Sequence, residues 1–167
     1  MNEIREADLT HDLQAIRSLW LEYLTWGNDE LEARHGFRLP IQEMLDRDLT
    51  NIIKFQPPGG CIVLAFDDNL AVGIACLQRI GPETAEVKRM YVRPASRRGG
   101  IGRAMLARLI EESQAAGYRS IRLDSPDFMT AAHALYRSSE FVDIEPYPES
   151  EIPDEYKGFW VFMERSL

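Results

Sequence analysis

Arg97-Arg98-Gly99-Gly100-Ile101-Gly102-Arg103 concentrates positive charge and side-chain-free backbone in an otherwise acidic chain of net charge -8. From Val87 through Ile110 there is no Asp or Glu, whereas Lys88, Arg89, Arg93, Arg97, Arg98, Arg103 and Arg108 all fall in that window. Glycines at a strand-to-helix junction leave backbone N–H groups bare, and the helix start adds roughly half a positive charge from its dipole. Such a bend suits phosphate oxygens. The expected chemistry is local binding of a phosphate-bearing ligand.

Three kinds of phosphate loop compete for this stretch. A P-loop requires G-x-x-x-x-G-K-[ST], and the chain contains no such string. A dinucleotide fingerprint comes closer, since Gly100-x-Gly102 follows a strand and Asp124 lies about twenty residues on, where a ribose ligand belongs. Met105, however, stands where that motif needs a small residue, and the preceding strands form a meander. A chain of 167 residues also leaves little room for a separate substrate domain. The third kind is a coenzyme whose pyrophosphate caps the helix while its tail follows the preceding strand.

The loop is placed by the elements around it. Ile4 to Ala7 reads as a short opening strand, and Asp8 or Thr10 caps a helix with Leu13, Ile16, Trp20, Tyr23 and Leu24 on its apolar face. Gly27-Asn28-Asp29 is expected to end that helix. Pro40 suits the first turn of a second helix bearing Ile41, Met44, Leu45, Leu49 and Ile52. Apolar runs at Cys61–Phe66, Leu70–Ile80 and Thr84–Val92, with tight connections, predict an antiparallel meander. In the third run Ala85 and Val87 share one parity, but Met90 and Val92 share the other. An extra residue near Lys88 or Arg89, that is a β-bulge, reconciles them; a strand covered on both faces does so equally.

After the loop, Ile101, Met105, Leu106, Leu109 and Ile110 form the buried face of a helix that Gly117 terminates. A strand at Ser120–Leu123 makes this a parallel crossover beside the meander. Asp127 or Thr130 is placed to cap a helix through Ala132, Leu135 and Tyr136. Strands near Phe141–Ile144 and Phe159–Met163 close the chain. The expectation is one mixed α/β domain over residues 1–167, with an antiparallel meander joined to a parallel strand pair and flanked by helices.

Composition narrows the function further. Hydrophobic content of 45% supports one sizeable core, and no apolar run approaches the roughly 20 residues of a membrane span. Met1 to Glu6 lacks the basic and apolar regions of a signal peptide, so a cytoplasmic location is expected. Net acidity argues against nucleic-acid binding, which needs an extended basic surface. His11, His35 and His133 lie far apart without metal-ligand spacing, and no metal is expected. Cys61 and Cys76 sit in apolar strands and read as buried reduced thiols.

Glu86-Val-Lys-Arg-Met-Tyr-Val-Arg-Pro followed by Arg97-x-x-Gly100-x-Gly102 resembles the acetyl-CoA signature of the GNAT N-acetyltransferase superfamily. Ala132-x-x-Leu135-Tyr136-x-x-x-x-Phe141 is similar to that family's A-x-x-L-Y…G-F segment, and the order of elements also matches. Glu140 stands where the family commonly has Gly. Met129 stands where many members place Asn near the cofactor.

The resemblance implies acetyl transfer from acetyl-CoA, as cosubstrate, to an amine of a small molecule or peptide. It implies Glu86 as general base and Tyr136 as the acid that protonates the departing thiolate. Amides and side chains of Arg97, Arg98, Gly99, Gly100, Ile101, Gly102 and Arg103 are implied to hold the pyrophosphate, with Met90, Tyr91 and Val92 along the pantetheine arm. In this fold acceptor contacts come from the first helices and the late loop, which puts Trp20, Tyr23 and Trp26 forward. Trp20 and Tyr23 equally fit the core side of an amphipathic helix. A non-catalytic acyl-CoA sensor uses the same loop, and a homodimer is compatible with either reading.

Overall fold

Apolar runs of strand length and helical stripes assemble into a sheet covered on both faces. The computed structural model describes residues 2–167. In chain order the elements are β1 (Asn2–Glu6), α1 (Leu9–His35), α2 (Ile41–Thr50), β2 (Cys61–Asp67), β3 (Leu70–Arg79), β4 (Thr84–Val92), α3 (Ile101–Ala115), β5 (Ser120–Pro126), α4 (Thr130–Ser138), β6 (Val142–Ile144) and β7 (Trp160–Ser166). The sheet has seven strands in the order β1-β2-β3-β4-β5-β7-β6. Every neighbouring pair is antiparallel except β4 with β5, which α3 joins in parallel. This is the expected meander and crossover.

Alternation along each strand divides the core between the two faces. Cys61, Val63 and Ala65 pack toward α3 with Met105, Leu106 and Leu109, whereas Ile62 and Leu64 pack toward α1 and α2 with Ile16, Leu19 and Leu45. Burial on both faces explains why β2 and β3 read as nearly continuous apolar runs. Cys61 and Cys76 belong to opposite faces and are both free and buried. Burial pushes the Cys61 thiol up to about 12, so it stays protonated at neutral pH. Among the described residues no helix is long and apolar enough to cross a membrane.

Several local expectations need correction. Helix α1 does not end at Gly27-Asn28-Asp29; it continues to His35 and stops at Gly36, whose φ is +76°. Asn28 is buried there and pairs both ways with the Leu39 backbone, donating to its carbonyl at 2.9 Å and accepting from its N–H at 2.8 Å. That tertiary partnership occupies the amide that otherwise competes with helical hydrogen bonds. Leu13 is 47% exposed, so the buried stripe begins at Ile16. Trp20 is fully buried with its ring 5.6 Å from that of Phe55, which makes it a core residue and not an acceptor contact. Neither Asp127 nor Thr130 caps α4, whose N-cap position is Met129; the Asp127 carboxylate lies 3.0 Å from His35 Nε2 instead. Glu140 carries φ +68° after α4, the conformation for which glycine is favoured.

The parity change in β4 is a bulge. Cys76 pairs with Lys88 and Ile74 with Tyr91, so Arg89 and Met90 together oppose Ala75, and Arg89 has φ +52°. The extra residue keeps Ala85, Val87, Met90 and Val92 all against the α3-side core. It also turns the neighbouring cations Lys88 and Arg89 toward one acid, Glu151.

Candidate active site

A wedge opens where the parallel strands part. β4 and β5 pair only at Thr84↔Ser120, Ala85↔Ile121 and Glu86↔Arg122. Beyond that point β3 holds β4 through Val92, and β7 holds β5 through Pro126. The facing edges of β4 and β5 therefore diverge, and their backbone groups stay outside the ladder.

The cationic bend lies at one mouth of this wedge. Arg98 and Gly100 both have positive φ, +73° and +78°, and Gly100 caps α3 without any side-chain acceptor. The amides of the first turn are thus left for an outside anion. Arg97, Arg98, Gly99, Gly100 and Arg103 are exposed, whereas Ile101 is buried and anchors the turn. A side-chain carbon at Gly102 would sit 3.5 Å from Leu135 and 3.7 Å from Met90. Arg97 donates to the Val92 carbonyl at 2.8 Å and lies over Trp26, 5.2 Å from its ring centroid. The carbonyl of Val92, expected along the coenzyme arm, is therefore engaged by Arg97. Uncapped amides and nearby guanidinium groups fit the diphosphate of coenzyme A.

Tyr136 reaches the wedge from α4. Its ring is buried, and the partner of its hydroxyl among the described residues is the Met90 sulfur at 3.8 Å, a weak acceptor. Burial pushes the phenol well above its ordinary value, with the charge of Asp124 adding to the shift, so it is held as a proton donor. Tyr23 lines the cleft on the α1 side, and its ring lies 5.8 Å from that of Tyr91. Trp26 stands between Tyr91 and Phe128.

Glu86 is 1% exposed and is not among the residues that line the cleft. Tyr147 donates to one of its oxygens at 2.7 Å and Gln78 to the other at 2.9 Å, with Lys88 Nζ 3.8 Å away. Burial raises its carboxyl above the usual range; Lys88 opposes that rise, and Asp124 adds to it.

A model of the acetyltransferase (GNAT) family matches residues 13–141. The chain belongs to the GNAT family. An uncharacterized N-acetyltransferase of Schizosaccharomyces pombe is 33% identical over 153 residues, or 90% of this chain and 89% of its own. The IAA acetyltransferase of Azospirillum brasilense is 42% identical over 82 residues, which is 49% of this chain and about half, 51%, of that protein. In shape, the PaiA N-acetyltransferase of Thermoplasma acidophilum, solved in complex with coenzyme A, aligns with a TM-score of 0.75. That alignment covers 100% of this chain and 99% of the other at 20% identity, a likeness of fold.

This GNAT cleft also gathers charged residues that no sequence spacing brings together. The cleft is narrow and open to solvent, and it is walled mostly by apolar side chains. Its charged members are Arg89, Asp124 and Glu151. Arg89 is 6% exposed and bonds Asp48 of α2 at 2.8 Å and Glu151 of the late loop at 2.5 and 3.1 Å. Lys88 Nζ bonds Glu151 at 2.8 Å, and Lys54 bonds Asp48 at 2.8 Å. Burial alone would raise the Glu151 carboxyl, but Lys88 and Arg89 outweigh it and hold it well below the usual range. Removing Arg89 leaves the buried Asp48 carboxylate and the half-buried Glu151 carboxylate short of a partner. Arg89→Leu is therefore expected to lose about 3 kcal/mol in urea unfolding, the lower end for a broken buried pair because Lys54 and Lys88 remain. Unchanged stability would mean that the cluster is solvated.

Proposed function

We propose that the chain transfers an acetyl group from acetyl-CoA directly to a primary amine of a small molecule or peptide. The observation that carries this reading is the wedge between β4 and β5, with an uncapped helix start at one mouth and a weakly partnered Tyr136 hydroxyl within. The coenzyme A complex of the Thermoplasma acidophilum relative supports it. Amides of residues 98–103, with Arg97, Arg98 and Arg103, hold the diphosphate. The open edge of β4 at Met90, Tyr91 and Val92 guides the arm. Bound acetyl-CoA supplies an acyl carbon on a thiol leaving group, so a C–N bond forms as a C–S bond breaks.

The chain's residues manage the protons. An alkylamine with pKa about 10 is neutral in only ~10⁻³ of molecules at pH 7, a cost of about 4 kcal/mol. Asp124 lines the cleft and orients the amine. Glu86, which does not itself line the cleft, takes the proton through water, and burial raises its basicity. Tyr136 gives a proton to the departing sulfur. Tyr23 and Trp26 flank the acceptor.

Release of coenzyme A thiol on addition of an amine tests the transfer itself. The base role is tested by Glu86→Gln. Because the folded carboxyl titrates above its ordinary value, wild-type kcat/KM rises with pH through that raised value, as the base form appears. Glu86→Gln is expected to be about 10²-fold slower at pH 7. The gap narrows toward pH 9 as more acceptor becomes neutral. Parallel wild-type and variant profiles would remove Glu86 from the proton path.

A further inference from the structure

Resting on the acetyl-transfer reading above, we propose that the acceptor is an amino acid, its carboxylate received by Lys88 and Arg89 in the place that Glu151 now takes. Adjacent residues of a regular strand point to opposite faces, so two successive cations do not ordinarily share a ligand. The bulge at Arg89 removes that restriction, and both cations meet the same carboxylate of Glu151.

That carboxylate arrives on a loop and does not come from the sheet. Glu151 and Ile152 line the cleft, and the preceding Ser150 reaches Asp124 of its wall. The Ser150 hydroxyl donates to Asp124 at 2.8 Å, Glu151 binds the two cations, and Ile152 is 5% exposed in the cluster of Leu31 and Trp160. A hydrogen-bond donor on Asp124, a carboxylate on Lys88 and Arg89, and an apolar group beyond them together describe a free amino acid with its amine toward Asp124. When Glu151 withdraws, Arg89 keeps Asp48 and Lys88 keeps Glu86 at 3.8 Å, but the short contacts both cations made to Glu151 are left for another anion. A polyamine or a basic side chain offers none and meets two cations instead. Local charge here outweighs the modest steering of the chain's negative total.

Transfer to such an acceptor balances without another reactant. The amine nitrogen gains the acetyl group and loses a proton toward Glu86, and the sulfur gains one from Tyr136. The acceptor's carboxylate is untouched, so the product is an N-acetyl amino acid.

The test uses the full chain with acetyl-CoA, reading thiol release across free L-amino acids, their carboxamides and spermidine. Calorimetric binding of the same compounds in the presence of coenzyme A gives a second readout. The best amino acid is expected to exceed its own carboxamide at least 10-fold in kcat/KM and in affinity. Glu151→Gln removes the competing charge and is expected to lower KM for the acid, with KM for acetyl-CoA unchanged. Lys88→Met is expected to erase the preference of acid over amide. Carboxamides or spermidine serving as well as the acids in the wild-type protein would overturn the carboxylate site while leaving acetyl transfer standing. Absence of acetyl-CoA binding would overturn both.

Discussion

Tyr136→Phe lowers kcat by about 10²–10⁴-fold while acetyl-CoA still binds within about twofold of wild type. The range is that of a positioned general acid. The split between kcat and binding follows because the hydroxyl is needed only as charge develops on sulfur, and it contributes nothing to the ground state. The fold has little to lose, because the hydroxyl's partner is the Met90 sulfur at 3.8 Å, while the ring, which the variant keeps, packs 5.9 Å from that of Phe141. Steady-state thiol release and calorimetry measure the two quantities separately. A kcat within threefold of wild type would assign the proton to another donor.

Gly102→Asp is expected to abolish coenzyme binding without unfolding the chain. The added carbon meets Leu135 and Met90 at ordinary van der Waals distances, so the backbone need not move. The added carboxylate, however, lies in the first turn of α3, among the amides assigned to the diphosphate. One like-charge pair about 5 Å apart at an effective dielectric near 20 costs roughly 3 kcal/mol, or about 10²-fold in affinity. A second phosphate raises that loss beyond detection in a micromolar titration. Gly102→Ala adds the carbon without the charge and serves as the control.

Much of this architecture was legible because it is local. Period and turn residues predicted the meander and the long apolar face of α3, and the parity change at Lys88–Arg89 offered a bulge and a doubly covered strand equally, of which β4 contains the bulge. The glycine bend was visible as composition alone. What could not be read depends on distant partners. Gly27-Asn28-Asp29 looks like a helix end until Leu39 is known to bind the Asn28 side chain. Trp20 and Tyr23 sit on one stripe of α1, yet Trp20 meets Phe55 in the core and Tyr23 faces the cleft. The charge cluster is more hidden still. Arg89 meets acids 41 and 62 positions away, and no spacing rule links Asp48, Arg89 and Glu151. Asp124 drew attention as a ribose ligand in a dinucleotide motif, whereas it lines the cleft and accepts a hydrogen bond from Ser150. A signal was present in Glu151, an acid in a loop of prolines and tyrosines, but nothing local aimed it at β4.

Direct titration of acetyl-CoA into the folded wild-type protein, beside folded Gly102→Asp, bears most closely on the role of the cationic bend. Saturable binding by the wild type, with none by the variant, is the expected result. No saturable binding by the wild type, or equal affinity in the two proteins, would contradict the placement of the diphosphate on residues 97–103.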